Sequence, residues 1–258
     1  MLARWILGGF AAIVYLIVYL PIALVVLTSF NEATLTSLPI QHYSLKWYAA
    51  LLDNSKTLAS LSTSLQVGII TTALATLLGL LSALAVTRHD FPGKRAFLLL
   101  TTMPMLAPGV VLGVAMLLFA RRVGLHTGFV ALVLGHVLLA LPYCTFIIMS
   151  SLARFDRSLE DAARGLGANE WRVLRRIILP GIAPGIIGAA LFAFTISIGE
   201  FVVSFFLTSA GTTTLPIRIY SIVKVGITPE INAVSTLILG ATVLLTIVAI
   251  HMTWSRKR

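Results

Sequence analysis

Asp156 to Pro180, DRSLEDAARGLGANEWRVLRRIILP, is a charged island between two long apolar runs, and its reading decides the fold. Ser158 followed three residues later by Asp161 has the spacing of a capping box, so a short helix is expected to open there. Gly165 and Gly167 supply its C-terminal break. Asn169 can then cap a second helix, with Trp171, Leu174 and Ile178 on one face and Arg172, Arg175 and Arg176 on the other, until Pro180 ends the pattern. On the first helix the small side chains of Ala162 and Ala163 would let a partner's backbone come close, and a glycine just beyond them lets the chain leave at a sharp angle. The stretch predicts a docking knob.

Outward from this island the chain is apolar. Its 258 residues are 58% hydrophobic and only 11% charged, whereas soluble domains are about 45 to 50% apolar, so an all-α integral membrane protein is expected. Six runs, at about 6–29, 60–86, 97–119, 129–150, 182–208 and 233–254, each approach the roughly 20 residues that a helix needs to cross a bilayer. The first has too long an apolar core for a signal peptide and no small-residue cleavage site after it, so it is expected to stay as an anchor.

Thirteen of the 19 Lys and Arg fall on one side of these runs: Arg4, Arg88, Lys94 and Arg95, the six arginines between Arg154 and Arg176, and the C-terminal Arg256, Lys257 and Arg258. The other side holds Lys46, Lys56, Arg121, Arg122, Arg218 and Lys224. Because short cytoplasmic loops retain positive charge, the island and both termini are expected in the cytoplasm. Topology thus accounts for the formal charge of +10, and without an aromatic-basic platform nucleic acid is not expected as a partner.

Several runs carry internal signals. Ala75, Gly79 and Ala83 form a small-xxx-small ridge that permits close helix approach. Pro104, Pro108 and Gly109 interrupt the third run, either as a packed proline kink or as a broken helix lining a substrate pathway, with Met103 and Met105 read as filler. His136 is expected to hydrogen-bond a neighbouring helix, a ligand or proton-relay role being the alternative. Cys144, the single cysteine, reads as a small buried hydrophobe. Glu200 lies inside the fifth run, where a carboxylate costs about 2.5 to 3.5 kcal/mol on insertion scales. A water-lined path or a cationic substrate would offset that cost, as would a buried hydroxyl or a base from a partner subunit.

The order Asp161, Ala162, Ala163, Gly167, Ile177, Leu179 and Pro180 matches E-A-A-x(3)-G-x(9)-I-x-L-P at every spacing, with Asp161 for the glutamate and Glu160 beside it. On these residues the chain resembles the ATP-binding-cassette (ABC) importer permeases. The resemblance implies a single MetI-like domain of six transmembrane helices over residues 1–258, with 151–180 as a cytoplasmic coupling loop seated in a cleft of an ATPase subunit. Glu160, Asp161, Ala162, Ala163, Gly167, Ile177, Leu179 and Pro180 would then be coupling residues.

A second similarity is narrower. Leu215 to Ala233, LPIRIYSIVKVGITPEINA, together with Asn31 after TSF and Lys46, Trp47 and Tyr48, looks like the smaller permease subunit of the spermidine/putrescine branch. This implies import of a polyamine by a heterodimer with a second permease, two ATP-binding subunits and an external binding protein. ATP and magnesium would sit on the ATPase, with no cofactor bound by this chain, which has no G-x-x-x-x-G-K. Where an acidic pair is expected in that branch, the chain has Gly199 and Glu200, so phosphonates, opines or other small solutes stay open. From other classes, an intramembrane hydrolase would need a paired serine and histidine, paired aspartates or H-E-x-x-H, and a secondary carrier would need no ATPase.

Overall fold

The computed structural model describes residues 2–33, 39–225 and 229–255. Among the described residues there is no strand, only an isolated antiparallel bridge between Asn31 and Tyr43. The chain divides into two units, Met1–Leu58 with Arg218–Leu244, and Ala59–Ile217 with Leu245–Arg258.

The first unit contains α1 (Leu2–Thr28), α2 (Lys46–Asp53), most of α12 (Leu215–Val225) and the opening of α13 (Pro229–Ser255). Every side chain from Ile6 to Leu24 is exposed, as expected of a helix whose surroundings are lipid rather than its own chain. Polar ties hold the ends of the elements. Tyr48 and Ser29 share a hydroxyl hydrogen bond at 2.7 Å, and the Trp47 indole N–H donates to the Asn31 carbonyl at 2.8 Å. Asn54 donates to Glu230 at 2.9 Å and Asn232 to the Thr28 hydroxyl at 3.0 Å. Tyr48 and Trp47 of α2 thus hold the segment that follows α1. Gly226, Ile227 and Thr228 of the LPIRIYSIVKVGITPEINA run lie outside the described residues, as do Arg256, Lys257 and Arg258.

The second unit is built on α3 (Ser55–Arg88) and α6 (Phe129–Ala153). With 34 residues, α3 is about 50 Å long, enough to cross a bilayer core and project beyond it. Its small-residue ridge is a contact surface: Ala75 and Ala83 are fully buried, and a Cβ on Gly79 would lie 2.6 Å from Cys144 Cβ on α6. Cys144 is itself fully buried, with its thiol directed at the Ala189 carbonyl at 3.6 Å. The two helices thus meet at backbone distance, where dispersion supplies the attraction that lipid cannot.

The third run is not one straight span. It divides into α4 (Lys94–Thr102), a tight turn at Met103–Met105 and α5 (Gly109–Arg122), and the two arms bend by 108°. Met103 and Met105 are exposed and fill no part of this chain's core. The fifth run, expected as one helix over 182–208, is two: α10 (Ala183–Gly199) and α11 (Val202–Leu207). Glu200 between them is extended, at φ −71° and ψ 114°. Among the described residues three helices are long and apolar enough to cross a membrane, and the spans number up to five if each sharply bent pair counts as one.

We expect Gly79→Leu to overfill the α3–α6 seam and cost about 1 to 3 kcal/mol, read as a lower unfolding midpoint in detergent. Gly240→Leu, where nothing lies within 4 Å, should leave that midpoint in place.

Candidate functional site

The charged island folds into α7 (Ser158–Gly165), α8 (Glu170–Val173), a wide π turn at Leu174–Ile178 and α9 (Leu179–Gly181). The expected capping box does not form. Asp156 reaches forward to accept from the Ser158 N–H at 2.9 Å, a contact that also holds its carboxyl below the usual range, and Arg157 occupies the cap position. Ser158 thus lies one residue inside the helix, with its N–H already satisfied.

The glycine break is as the spacing implied. Gly167 N–H donates to the Arg164 carbonyl at 2.9 Å and Ala168 N–H to the Ala163 carbonyl at 3.0 Å, the paired bonds of a Schellman turn. That turn needs a left-handed residue, and Gly167 supplies it at φ +82°. Asn169 then caps α8 through the Arg172 N–H at 2.9 Å. Across the turn the Arg164 guanidinium grips both oxygens of Glu170, at 2.8 and 3.2 Å, and also reaches Asp161 at 3.2 Å. Its fork depresses the Glu170 pKa and raises its own. The stabilisation from this pair is therefore present at neutral pH and lost only as the pH falls through the depressed Glu170 value.

The island's two adjacent carboxylates do different things. Asp161 is open to solvent, its side chain 77% exposed. Glu160 is turned inward and almost wholly buried, accepting from Arg88 Nη2 at 2.6 Å with Arg164 3.6 Å away. Its carboxylate is engaged by the chain's own arginines. Removing one member of such a buried pair typically costs about 3 to 5 kcal/mol, because the other charge is left unpaired. Ala162 is exposed, whereas Ala163 and Ala168 pack on the core.

The second helix's faces also differ from expectation. Val173 takes the core position and Trp171 points outward, because the π turn that follows shifts the register by a residue. Trp171 joins Leu159 and Leu166, the last 90% exposed, as an apolar group on an otherwise charged surface. The sequence reading set Trp171 with Leu174 and Ile178 and passed over Leu159 and Leu166, though a lone Leu between two glycines was the available signal. Ile177 and Leu179 are half-buried and Pro180 exposed, at the junction where the chain bends by 69° into α10. That junction is tightly packed: a Cβ on Gly181 would strike the Phe155 ring, and one on Gly185 the Ser151 hydroxyl.

The second place of interest is the break between α10 and α11. Glu200 Oε1 accepts from the Val203 N–H at 2.8 Å and so caps α11 with its own side chain. The carboxylate is half-buried, and its other oxygen has no hydrogen bond among the described residues. His136 on α6, fully buried, spans the break: Nδ1 lies 2.7 Å from the Ser197 hydroxyl on α10 and Nε2 2.8 Å from the Ser204 hydroxyl on α11. Ser204 gives its proton to the Glu200 carbonyl at 2.9 Å, so it must accept from Nε2–H, which leaves Nδ1 to accept from Ser197. His136 is thus hydrogen-bonded to neighbouring helices, and no cluster of potential metal ligands occurs among the described residues.

Pro108 stands next to this break. A Cβ on Gly109, at the start of α5, would be 3.3 Å from Val202 at the start of α11, so the interruptions of the third and fifth runs are neighbours. Pro104, half-buried, sits in the turn one step before.

Residues 75–258 match the family model described as "Binding-protein-dependent transport system inner membrane component". Over 96% of its length the chain is 34% identical to the spermidine/putrescine transport system permease protein PotC of Escherichia coli K12, covering 93% of that protein. It is 36% identical over 86% of its length to the putrescine transport system permease protein PotI of the same organism, covering 82% of it. Among solved structures, a chain of a bacterial ABC transporter that imports the acidic polysaccharide alginate superposes with a TM-score of 0.76 at 14% identity, over 99% of this chain and 97% of that one. At that identity the likeness shows the fold alone.

For the histidine staple we expect a double-mutant cycle of His136→Leu and Ser197→Ala, read by unfolding in detergent, to give a coupling of about 0.5 to 3 kcal/mol. A coupling of zero would mean that the two side chains do not meet.

Proposed function

Because the chain belongs to the binding-protein-dependent transport inner membrane component family, a family of non-catalytic ABC permease subunits, we propose that it carries a polyamine, spermidine or putrescine, across the bacterial inner membrane. The observation that carries this reading is the 34% identity to a spermidine/putrescine permease over 96% of the chain. The outer-segment pattern supports it, since Glu230 and Asn232 of PEINA each hold a hydrogen bond that ties α13 to the start of the chain.

In this proposal six spans arise from α1, α3, the bent α4–α5 pair, α6, α10 with α11, and α13. Both termini and the charged loop face the cytoplasm, on the balance of Lys and Arg. A second permease completes the pathway, two ATP-binding subunits supply hydrolysis with their ATP and magnesium, and an external binding protein delivers solute. The exposed face of Asp161, Ala162, Leu166 and Trp171 docks in the ATPase, presented by the Schellman turn at Gly167. Ile177, Leu179 and Pro180 serve as the hinge that turns this loop into α10, and Glu160 braces the loop from within.

Closure of the ATPase dimer would drive alternating access by shifting the loop, and with it α10 and the neighbouring breaks at Pro104, Pro108 and Glu200. Glu200 gives the pathway one carboxylate oxygen not committed to its cap, a partner for a protonated amine. Gly199 beside it is exposed with open space around it, so no second charge is supplied by that position of this chain.

Cells lacking other polyamine importers should lose high-affinity uptake of labelled putrescine and spermidine on deletion of this chain and regain it with the wild-type gene. Unchanged uptake would sink the polyamine assignment and leave another small solute. Gly167→Leu should insert normally yet fall by an order of magnitude or more in uptake, because a side chain at φ +82° costs about 1 to 2 kcal/mol and deforms the docking turn. For Glu200→Gln the expected result is weaker transport of the cation with the break intact, since an amide oxygen can still accept from Val203; equal affinity and rate would exclude a charge role.

A further inference from the structure

The charged loop is covalently continuous with α6 on one side and α10 on the other, but α3 reaches it only through space. Among the described residues two polar contacts make that connection, both at the last residues of α3. Arg88, the final residue of the helix, donates to Glu160 of α7 at 2.6 Å, with side-chain exposures of 10% and 3%. Arg157, at the start of α7, donates to the carbonyl of Thr87 at 2.7 Å, satisfying an end carbonyl of α3. Nothing in the family motif includes Arg88, and 72 residues separate it from its partner.

Stability alone does not account for a buried pair. Apolar side chains of the same volume do as well or better, and what an ion pair adds is a unique register. Here Arg88 Nε is buried with no partner among the described residues, so the guanidinium is not a fully satisfied structural element. The rest of the contact is apolar, with Leu80, Ala83 and Leu84 of α3 in the core that includes Val173 and Ile178 of the loop, and such contacts have no direction of their own. The short, directional pair fixes α7 at one place on the end of α3.

We propose that Arg88 is a positioning residue that locks the coupling loop to α3 through Glu160, so that displacement of the loop moves α3 as well as α6 and α10. The proposal rests on the reading of the loop as the ATPase docking site. It also accounts for the two carboxylates: Glu160 transmits inward while Asp161 faces out.

The test uses the whole transporter, reconstituted with its partner subunits. Spin labels at Leu159→Cys and Leu81→Cys, exposed positions on α7 and on α3 that lie outside the proposed docking face, report the loop-to-α3 distance without nucleotide and with ATP trapped; the native Cys144 is buried and does not compete. The distance should be the same in both states with Arg88 present and should diverge between states with Arg88→Met. A distance that already changes in the otherwise unaltered transporter overturns the proposal and needs no variant at position 88. In transport assays Arg88→Met should keep the ATPase bound and hydrolysing while solute moved per ATP falls about tenfold, inside the usual range of coupling between sites. Exchange of the charges, Arg88→Glu with Glu160→Arg, should restore most of it. Transport by Arg88→Met at the unaltered solute-to-ATP ratio overturns the proposal. If the unaltered complex moves no polyamine, the solute assignment fails while the distance measurement still decides the lock.

Discussion

Backbone groups released inside a membrane have no water to turn to, and this constraint governs the second unit of the structure. A helix that stops at Gly199 and restarts at Val202 frees several N–H and C=O groups, each costing free energy if left bare in hydrocarbon. The chain answers with side chains. Glu200 caps the Val203 N–H, Ser204 covers the Glu200 carbonyl, and His136 on the neighbouring helix holds the serines on both sides of the gap. A carboxylate and an imidazole that look expensive in an apolar run are thereby the groups that make its interruption tolerable. Beyond the break, Val203 and Leu207 of α11 pack with Val67 of α3 and Leu132 of α6 in a second core.

The loop obeys a different logic, since water surrounds it and hydrogen bonds there are cheap. What it needs is a fixed shape. The Schellman turn at Gly167, the Asn169 cap and the Arg164 fork on Glu170 each remove freedom from a segment of about a dozen residues, and together they present Leu166 and Trp171 without backing from a partner. For the docking proposed above, ordering entropy that would oppose it is already spent in folding. The π turn from Leu174 to Ile178 serves the same end, because its extra residue lets Val173 and Ile178 both face the core while the arginines between them face out.

Much of this was legible before the structure. Family and fold followed from seven residues in register within the loop, and the glycine turn followed from Gly167 and Asn169, because those residues have few other uses at such positions. The bend of the third run was announced by two prolines. The break of the fifth was not, because no proline or asparagine marks it and its cap comes from a carboxylate that sequence alone shows only as an anomaly. Ser158 was misread because two carboxylates, Asp156 and Asp161, could accept from its N–H, and Asp156 took it. The partition between Glu160 and Asp161 was beyond local reading, since it depends on Arg88, which only the folded chain brings near.

The first unit shows why the Leu215 to Ala233 pattern was so recognisable. Few of its apolar side chains are deeply buried, among them Leu51, Ile231, Ala233 and Val234, so packing alone fixes little. Asn54 to Glu230 and Asn232 to Thr28 carry the specification instead, and each bond requires both a particular residue and a particular place. An apolar core tolerates exchange among leucine, isoleucine and valine and so leaves a blurred trace in sequence. A buried amide bonded to one hydroxyl tolerates none without loss, because the partner is left unpaired. Glu230 and Asn232, near the end of the stretch that carried the narrower resemblance, are thus residues whose identity is fixed by polar geometry.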